Sequence, residues 1–219
     1  MRSLETNAAH RRHRASGFSL LEMMIVLAVM LIMTAVGLMS LMPAVQQQHV
    51  TNAYNTTMAA MRQARDNAVS QRTSYTVTFA NGAVPNTVTM APTLTFPGDQ
   101  RIVIYQLPTD VQFVAPVPAV LPPPDNYGAG TNAIDFGYTA SVNAGGTTQT
   151  VVYFCPDGSA QTAACDAGGY AVNWDGGVVY MALPGNVMSS RAISLWGGTG
   201  RIHGWRLVTT GGVTQWQRQ

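Results

Sequence analysis

The sequence predicts an α+β protein in which a long N-terminal helix, apolar at first and amphipathic later, packs on an antiparallel β-rich head. Three observations lead there. Between Phe18 and Met42 only Ser19, Glu22, Thr34, Gly37 and Ser40 interrupt an apolar run, and about 20 such residues are enough for a helix to cross a bilayer. From Val50 onward apolar residues recur at three- and four-residue steps, the stripe of a helix that lies against a core. Beyond residue 72 the period falls to two, in short runs of β-branched and aromatic residues bounded by glycine, proline and Asn-Gly turns.

The apolar run carries its own orientation. Arg2, Arg11, Arg12 and Arg14 precede it, whereas neutral Gln46, Gln47 and Gln48 follow it, so the positive-inside rule keeps the N-terminus cytoplasmic and exports the rest as a single-pass protein. Glu22 is the anomaly. A carboxylate inside a spanning helix costs roughly 2.5–3.5 kcal/mol on insertion scales, which calls for a cationic partner, and the run contains none. Cleavage after Gly17 would create a free amine at Phe18 able to serve that role in a neighbouring copy or another subunit. An ordinary secretory signal has a shorter apolar stretch of roughly 7–15 residues, and neither it nor a plain signal anchor explains Glu22.

Gly17-Phe18-Ser19-Leu20-Leu21-Glu22, followed by an unbroken apolar helix, resembles the class III signal of type IV pilins and of the pseudopilins of type II secretion. The resemblance implies that prepilin peptidase, a membrane aspartyl enzyme, cuts after Gly17 on the cytoplasmic side and methylates Phe18. It implies that Glu22 recruits and registers subunits in a helical filament. The chain then divides into a cleaved cytoplasmic leader at 1–17, a transmembrane half-helix at 18–42, an amphipathic periplasmic half at 43–72 and a β head at 73–219. The implied location is the bacterial inner membrane with the head in the periplasm, and later the filament itself.

The amphipathic stripe runs through Val50, Tyr54, Met58, Met61, Arg65 and Ala68 or Val69. Pro43 is expected to kink the helix without ending it. A helix persisting over 18–71 is a rod of roughly 80 Å, the alternative being one spanning helix and a second packed on the head. In the head, Tyr75, Val77 and Phe79 alternate with threonines ahead of Asn81-Gly82, a strong hairpin signal. Further strands are expected at 101–105, 111–114, 134–136, 150–154, 177–182, 191–195 and 201–208. The proline-, alanine- and glycine-rich stretch 114–130 reads as a long surface loop, because proline cannot donate to a ladder.

Val152-Tyr153-Phe154, Asp157-Gly158-Ser159, 177–181, 191–195 and Gly200-Arg201-Ile202 follow in an order that resembles the head of H-type pseudopilins and T-type minor pilins. The resemblance covers the N-terminal helix and the last third of the chain, and leaves about 84–146 uncovered. It departs at the insertion between Cys155 and Cys165 and in the tail containing Trp216. Two cysteines in an exported domain read as a disulfide, with free thiols as the alternative. No histidine lies between Met58 and Ile202, so a metal site lacks ligands, and no cofactor is expected.

The 219-residue chain holds 12 arginines and no lysine, and only 10% of its residues are charged. Residues 188–219 contain Arg191, Arg201, Arg206 and Arg218 and no acid, interleaved with His203, Trp196, Trp205 and Trp216. Arginine forks pair phosphates and indoles stack on bases, and some T-type minor pilins are DNA receptors acting through arginines of the Gly-Arg region. That makes Arg191, Arg201, Arg206, His203 and Trp205 candidate DNA contacts. In the alternative placement, Arg191 and Arg201 pair with Asp157, Asp166 or Asp175 while the tryptophans pack the core. The expected partners are prepilin peptidase, other pilin subunits, the membrane, and DNA or a secreted substrate, with no small-molecule substrate. Catalytic motifs such as Gly-x-Ser-x-Gly and His-Glu-x-x-His are absent, and Asp157 and Asp175 read as turn residues in Asp-Gly pairs.

Overall fold

The computed structural model describes residues 18–82, 84–95, 99, 101–138, 149–165 and 176–219. A single helix, α1, covers Leu20–Gln71 and contributes to two compact units, one ending at Met42 and the other covering Pro43–Gln219. In the first unit leucine, methionine and alanine supply high helix propensity. The apolar side chains described there all face outward, Leu20 at 78% and Met33 at 72% exposure. Among the described residues, α1 is the one helix long and apolar enough to cross a membrane.

In the second unit the helix runs from Pro43 to Gln71; Pro43 lacks the N–H of one helical hydrogen bond, and the helix continues through it all the same. The stripe expected from the sequence is buried at Val50, Ala53, Tyr54, Met58, Met61, Ala64 and Ala68, whereas Val69 is exposed. The helix stops after Gln71, where Arg72 adopts a left-handed conformation with φ 52°.

Ten strands form two antiparallel sheets. The first has the order β3-β2-β1-β5-β6, from β1 (Tyr75–Ala80), β2 (Thr87–Pro92), β3 (Val103–Gln106), β5 (Val151–Phe154) and β6 (Ala160–Gln161). The second has the order β10-β9-β8-β7-β4, from β4 (Ile134–Tyr138), β7 (Gly176–Leu183), β8 (Asn186–Trp196), β9 (Arg201–Thr210) and β10 (Val213–Arg218). Period-two burial in β1 and β2 sends Val77, Phe79, Val88 and Met90 into a core shared with the helix stripe and with Phe136, Val179, Ile193 and Leu195 of the second sheet. Phe79 stacks on Phe136 with ring centroids 5.5 Å apart, and Phe113 meets Phe79 edge-on at 5.8 Å.

The architecture is the expected α+β one, with three local corrections. Residues 111–114 form no strand. Val111 N–H closes a turn on the Pro108 carbonyl, and only Gln112 pairs, with Ala182. Asn81-Gly82 opens a longer connection, since Ala80 pairs with Thr87. The stretch 114–130 does more than cross the surface: Ala115 and Tyr127 are buried against Val178, Tyr180 and Ala192, with Trp205 and Trp216 beside them. Proline is barred from the ladder, but the segment can still cover a sheet face, and it does so over the outer side of the second sheet. β7 is therefore buried on both faces.

Cys155 and Cys165 are joined by a disulfide across a sequence separation of 10, enclosing the Asp157-Gly158 turn and β6. Asp157 Oδ1 accepts from the Ser159 N–H at 2.9 Å, the Asx turn expected of an Asp-Gly pair. A closed loop of this size stabilises by about 3 kcal/mol in the chain-entropy model. The Cys155→Ser, Cys165→Ser double variant should therefore lower the unfolding free energy by that amount in a denaturant titration, and wild type should show the same loss in reductant.

Candidate functional site

Glu22 lies in the first turn of α1, where the Met23 N–H reaches the Ser19 carbonyl at 3.1 Å. The unpaired amides of a helix N-terminus favour a negative charge there. Phe18, Leu20, Leu21 and Met23 around it are 77%, 78%, 68% and 52% exposed, so the carboxylate stands alone on an apolar surface. Among the described residues it has no ion-pair partner. Gly17 and the rest of the leader lie outside the described residues.

The C-terminal arginines separate into two environments. Arg201, at the start of β9, is exposed and lines a cleft of about 540 Å³ with Arg62, Arg65, Asp66, Thr199 and Gly200. Arg65 Nε donates to the Gly158 carbonyl at 3.3 Å and its Nη2 to the Thr199 carbonyl at 3.1 Å. It thus ties the helix to the Asp157 turn and to the turn before β9. Gly200 has φ 58°, and a Cβ there would collide with the Gly158 carbonyl, so glycine is required where the chain enters β9. Arg62 and Arg65 were not legible as site residues, because one reads as a solvated charge and the other as a member of the buried stripe.

Arg191 is only 6% exposed. Its Nη1 donates to the Ser189 and Ser190 carbonyls, each at 3.2 Å, and it stands directly across the ladder from Arg206. Burial first, and then the Arg206 charge, push its guanidinium below the usual range. Arg191 and Arg201 pair with no aspartate among the described residues, and Asp166 and Asp175 lie outside those residues.

His203 is buried too, with Nδ1 2.8 Å from Asp125 Oδ2. Ser194 donates to the same carboxylate oxygen, and the Trp205 indole N–H donates to Ser194 Oγ at 2.8 Å. His203, a candidate DNA contact by sequence, is thus buried, and Trp205 has an internal role: both fasten the 114–130 segment to β8 and β9 through Asp125. Asp125 and Ser194 were invisible as partners because they stand 78 and 69 residues away from His203 and Asp125 respectively. Serine, histidine and aspartate meet here, but the hydroxyl donates to the carboxylate rather than to the imidazole. Nothing in that arrangement activates Ser194 as a nucleophile.

Asp135, on β4, is 1% exposed and accepts from the Tyr138 hydroxyl at 2.8 Å through Oδ2. Burial holds its carboxyl above the usual range, against the opposing effect of hydrogen bonds from Tyr138 and Asn132. Burial likewise pushes up the Tyr127, Tyr138 and Tyr180 hydroxyls around it.

The family model described as Prokaryotic N-terminal methylation motif matches residues 12–38, the segment that contains Gly17, Phe18 and Glu22. Comparison with curated proteins and with solved structures finds no match. The matched motif is a type IV pilin-like class III signal. It implies processing by prepilin peptidase and assembly with other pilins, and with the fold it points to a structural subunit. The signal and the apolar helix that follows fit anchoring in the inner membrane.

A carboxyl whose pKa is raised on folding costs stability once ionised: the loss sets in as pH rises above its unfolded value of about 3.9 and is complete above the folded one. Asp135→Asn retains an acceptor for Tyr138 and removes the buried charge. The variant should melt above wild type at pH 7, with the advantage fading as pH falls to about 4, as followed by thermal unfolding across pH.

Proposed function

We propose that this chain is a minor pilin or pseudopilin, cut after Gly17, methylated at Phe18 and incorporated into a type IV pilus or type II secretion pseudopilus. The observation that carries this reading is Glu22, a lone carboxylate within the matched methylation motif and on an otherwise apolar exposed helix. In a low-dielectric setting an unpaired carboxylate is costly, and pairing with the amine of a neighbouring subunit's Phe18 offsets that cost. The apolar helices supply the filament core. Residues 18–42 act as the anchor before assembly, 43–72 as the periplasmic half of the helix, and 73–219 as the head presented to neighbours.

The cleft lined by Arg62, Arg65 and Arg201 favours a second reading, in which the head binds DNA through its phosphates. Arg206 adds an exposed guanidinium further along β9. In this reading Arg62 and Arg65 join Arg201 and Arg206 as contacts, and His203 contributes by holding the strand in place.

The first reading is tested in cells. Glu22→Ala should be exported and processed normally yet be depleted from sheared filaments at least tenfold, while Gly17→Ala should accumulate as unprocessed precursor. Normal assembly of the Glu22 variant overturns the assigned role. The second reading is tested by a salt titration of duplex binding. Each phosphate contact removed, by Arg62→Ala or Arg201→Ala, should reduce the slope of log K against log salt by about 0.9. Unchanged slopes overturn it.

A further inference from the structure

Arg191 and Arg206 are direct cross-strand partners, so their guanidinia share one face of the second sheet, an arrangement that is repulsive without an anion between them. That face is the one turned to the helix. Gly204, two residues before Arg206, lies under the Tyr54 hydroxyl, with which a Cβ at that position would collide. Strand geometry puts the hydroxyl about 7 Å along the sheet from the Arg206 row. The charges of Arg62 and then Arg191 act on the Tyr54 hydroxyl, and that of Arg206 acts on Arg191. Among the described residues the Tyr54 hydroxyl and Arg206 have no hydrogen-bond partner, while Arg191 spends one nitrogen on two long backbone contacts. Two guanidinia and a hydroxyl thus lie on one face of the sheet, and among the described residues no carboxylate stands with them. Like charges facing one another across a ladder repel, and an oxyanion between them would offset that repulsion and accept charge-assisted hydrogen bonds.

We propose that Tyr54, Arg191 and Arg206 form a recessed site for a single carboxylate, supplied by an acidic side chain of a neighbouring filament subunit; the identity of that supplier rests on the filament reading above. At 6% exposure, Arg191 offers little accessible surface, which suits a single side-chain carboxylate better than a sugar-phosphate backbone. Arg206, being exposed, guides the carboxylate in. Tyr54 and the inner guanidinium then complete its hydrogen bonds. None of its three residues lines the Arg62 and Arg201 cleft, although the Arg62 charge also acts on Tyr54.

The test uses the full-length protein in detergent micelles, melted in sodium acetate, sodium phosphate or sodium chloride at equal ionic strength. Acetate should raise the melting temperature saturably by about 3 °C over chloride. Arg206→Gln should abolish the rise and Tyr54→Phe should diminish it. Arg206→Gln without acetate should melt at or above wild type, since it relieves repulsion. An acetate effect no larger than that of chloride, or one preserved in Arg206→Gln, overturns the site. A rise with phosphate and none with acetate overturns the carboxylate assignment. In cells, Arg206→Glu should cut incorporation into filaments at least tenfold with processing at Gly17 intact, and unchanged incorporation overturns the neighbouring subunit as the source. The melting experiment does not depend on assembly, so the site can fail while Glu22→Ala still blocks the filament.

Discussion

The head depends on one stripe of helix that both sheets share. Ala53, Ala60, Ala64 and Ala68 are fully buried along it, and their small side chains let two sheets approach one cylinder. Larger residues then fill the space that remains: Met61 and Val50 on the helix, Phe79 and Phe154 from the first sheet, Phe136, Ile193 and Leu195 from the second. Neither sheet has a complete core without the helix. β1 and β8 lie at the centre of their sheets.

The second sheet is covered on its other face as well, and by different means. Tyr127, Tyr138 and Tyr180 form an aromatic layer with Trp216, and a proline-rich segment closes it. The fastening is polar, through Asp125, His203, Ser194 and Trp205. Apolar burial there supplies most of the stabilisation, while the hydrogen bonds fix one placement of a segment that has no ladder of its own.

The features legible in the sequence were those with local signatures. A lone acid after Gly17-Phe18, a three-and-four stripe and alternating runs each announce themselves within a few residues, and so the helix and the strands β4, β5, β7, β8 and β9 could be read. β10 was missed because Val213–Arg218 is mostly polar, as edge strands tend to be. β2 was missed because Thr87–Pro92 ends in proline. The docking of 114–130 and the burial of His203 rest on contacts across tens of residues, for which no periodicity exists. The arginines showed a similar limit: their number was visible in the sequence, but only the fold separates recessed Arg191 from exposed Arg201 and brings Arg62 beside the latter.

The seat of Tyr54 over Gly204 also has a mechanical meaning. A hydroxyl lodged where a strand lacks a side chain works as a key in a slot. Sliding the helix along β9 would have to lift this hydroxyl out of its seat, so the contact resists relative movement of the two elements. The seat thus couples the head-packed part of α1 to β9 at one defined point.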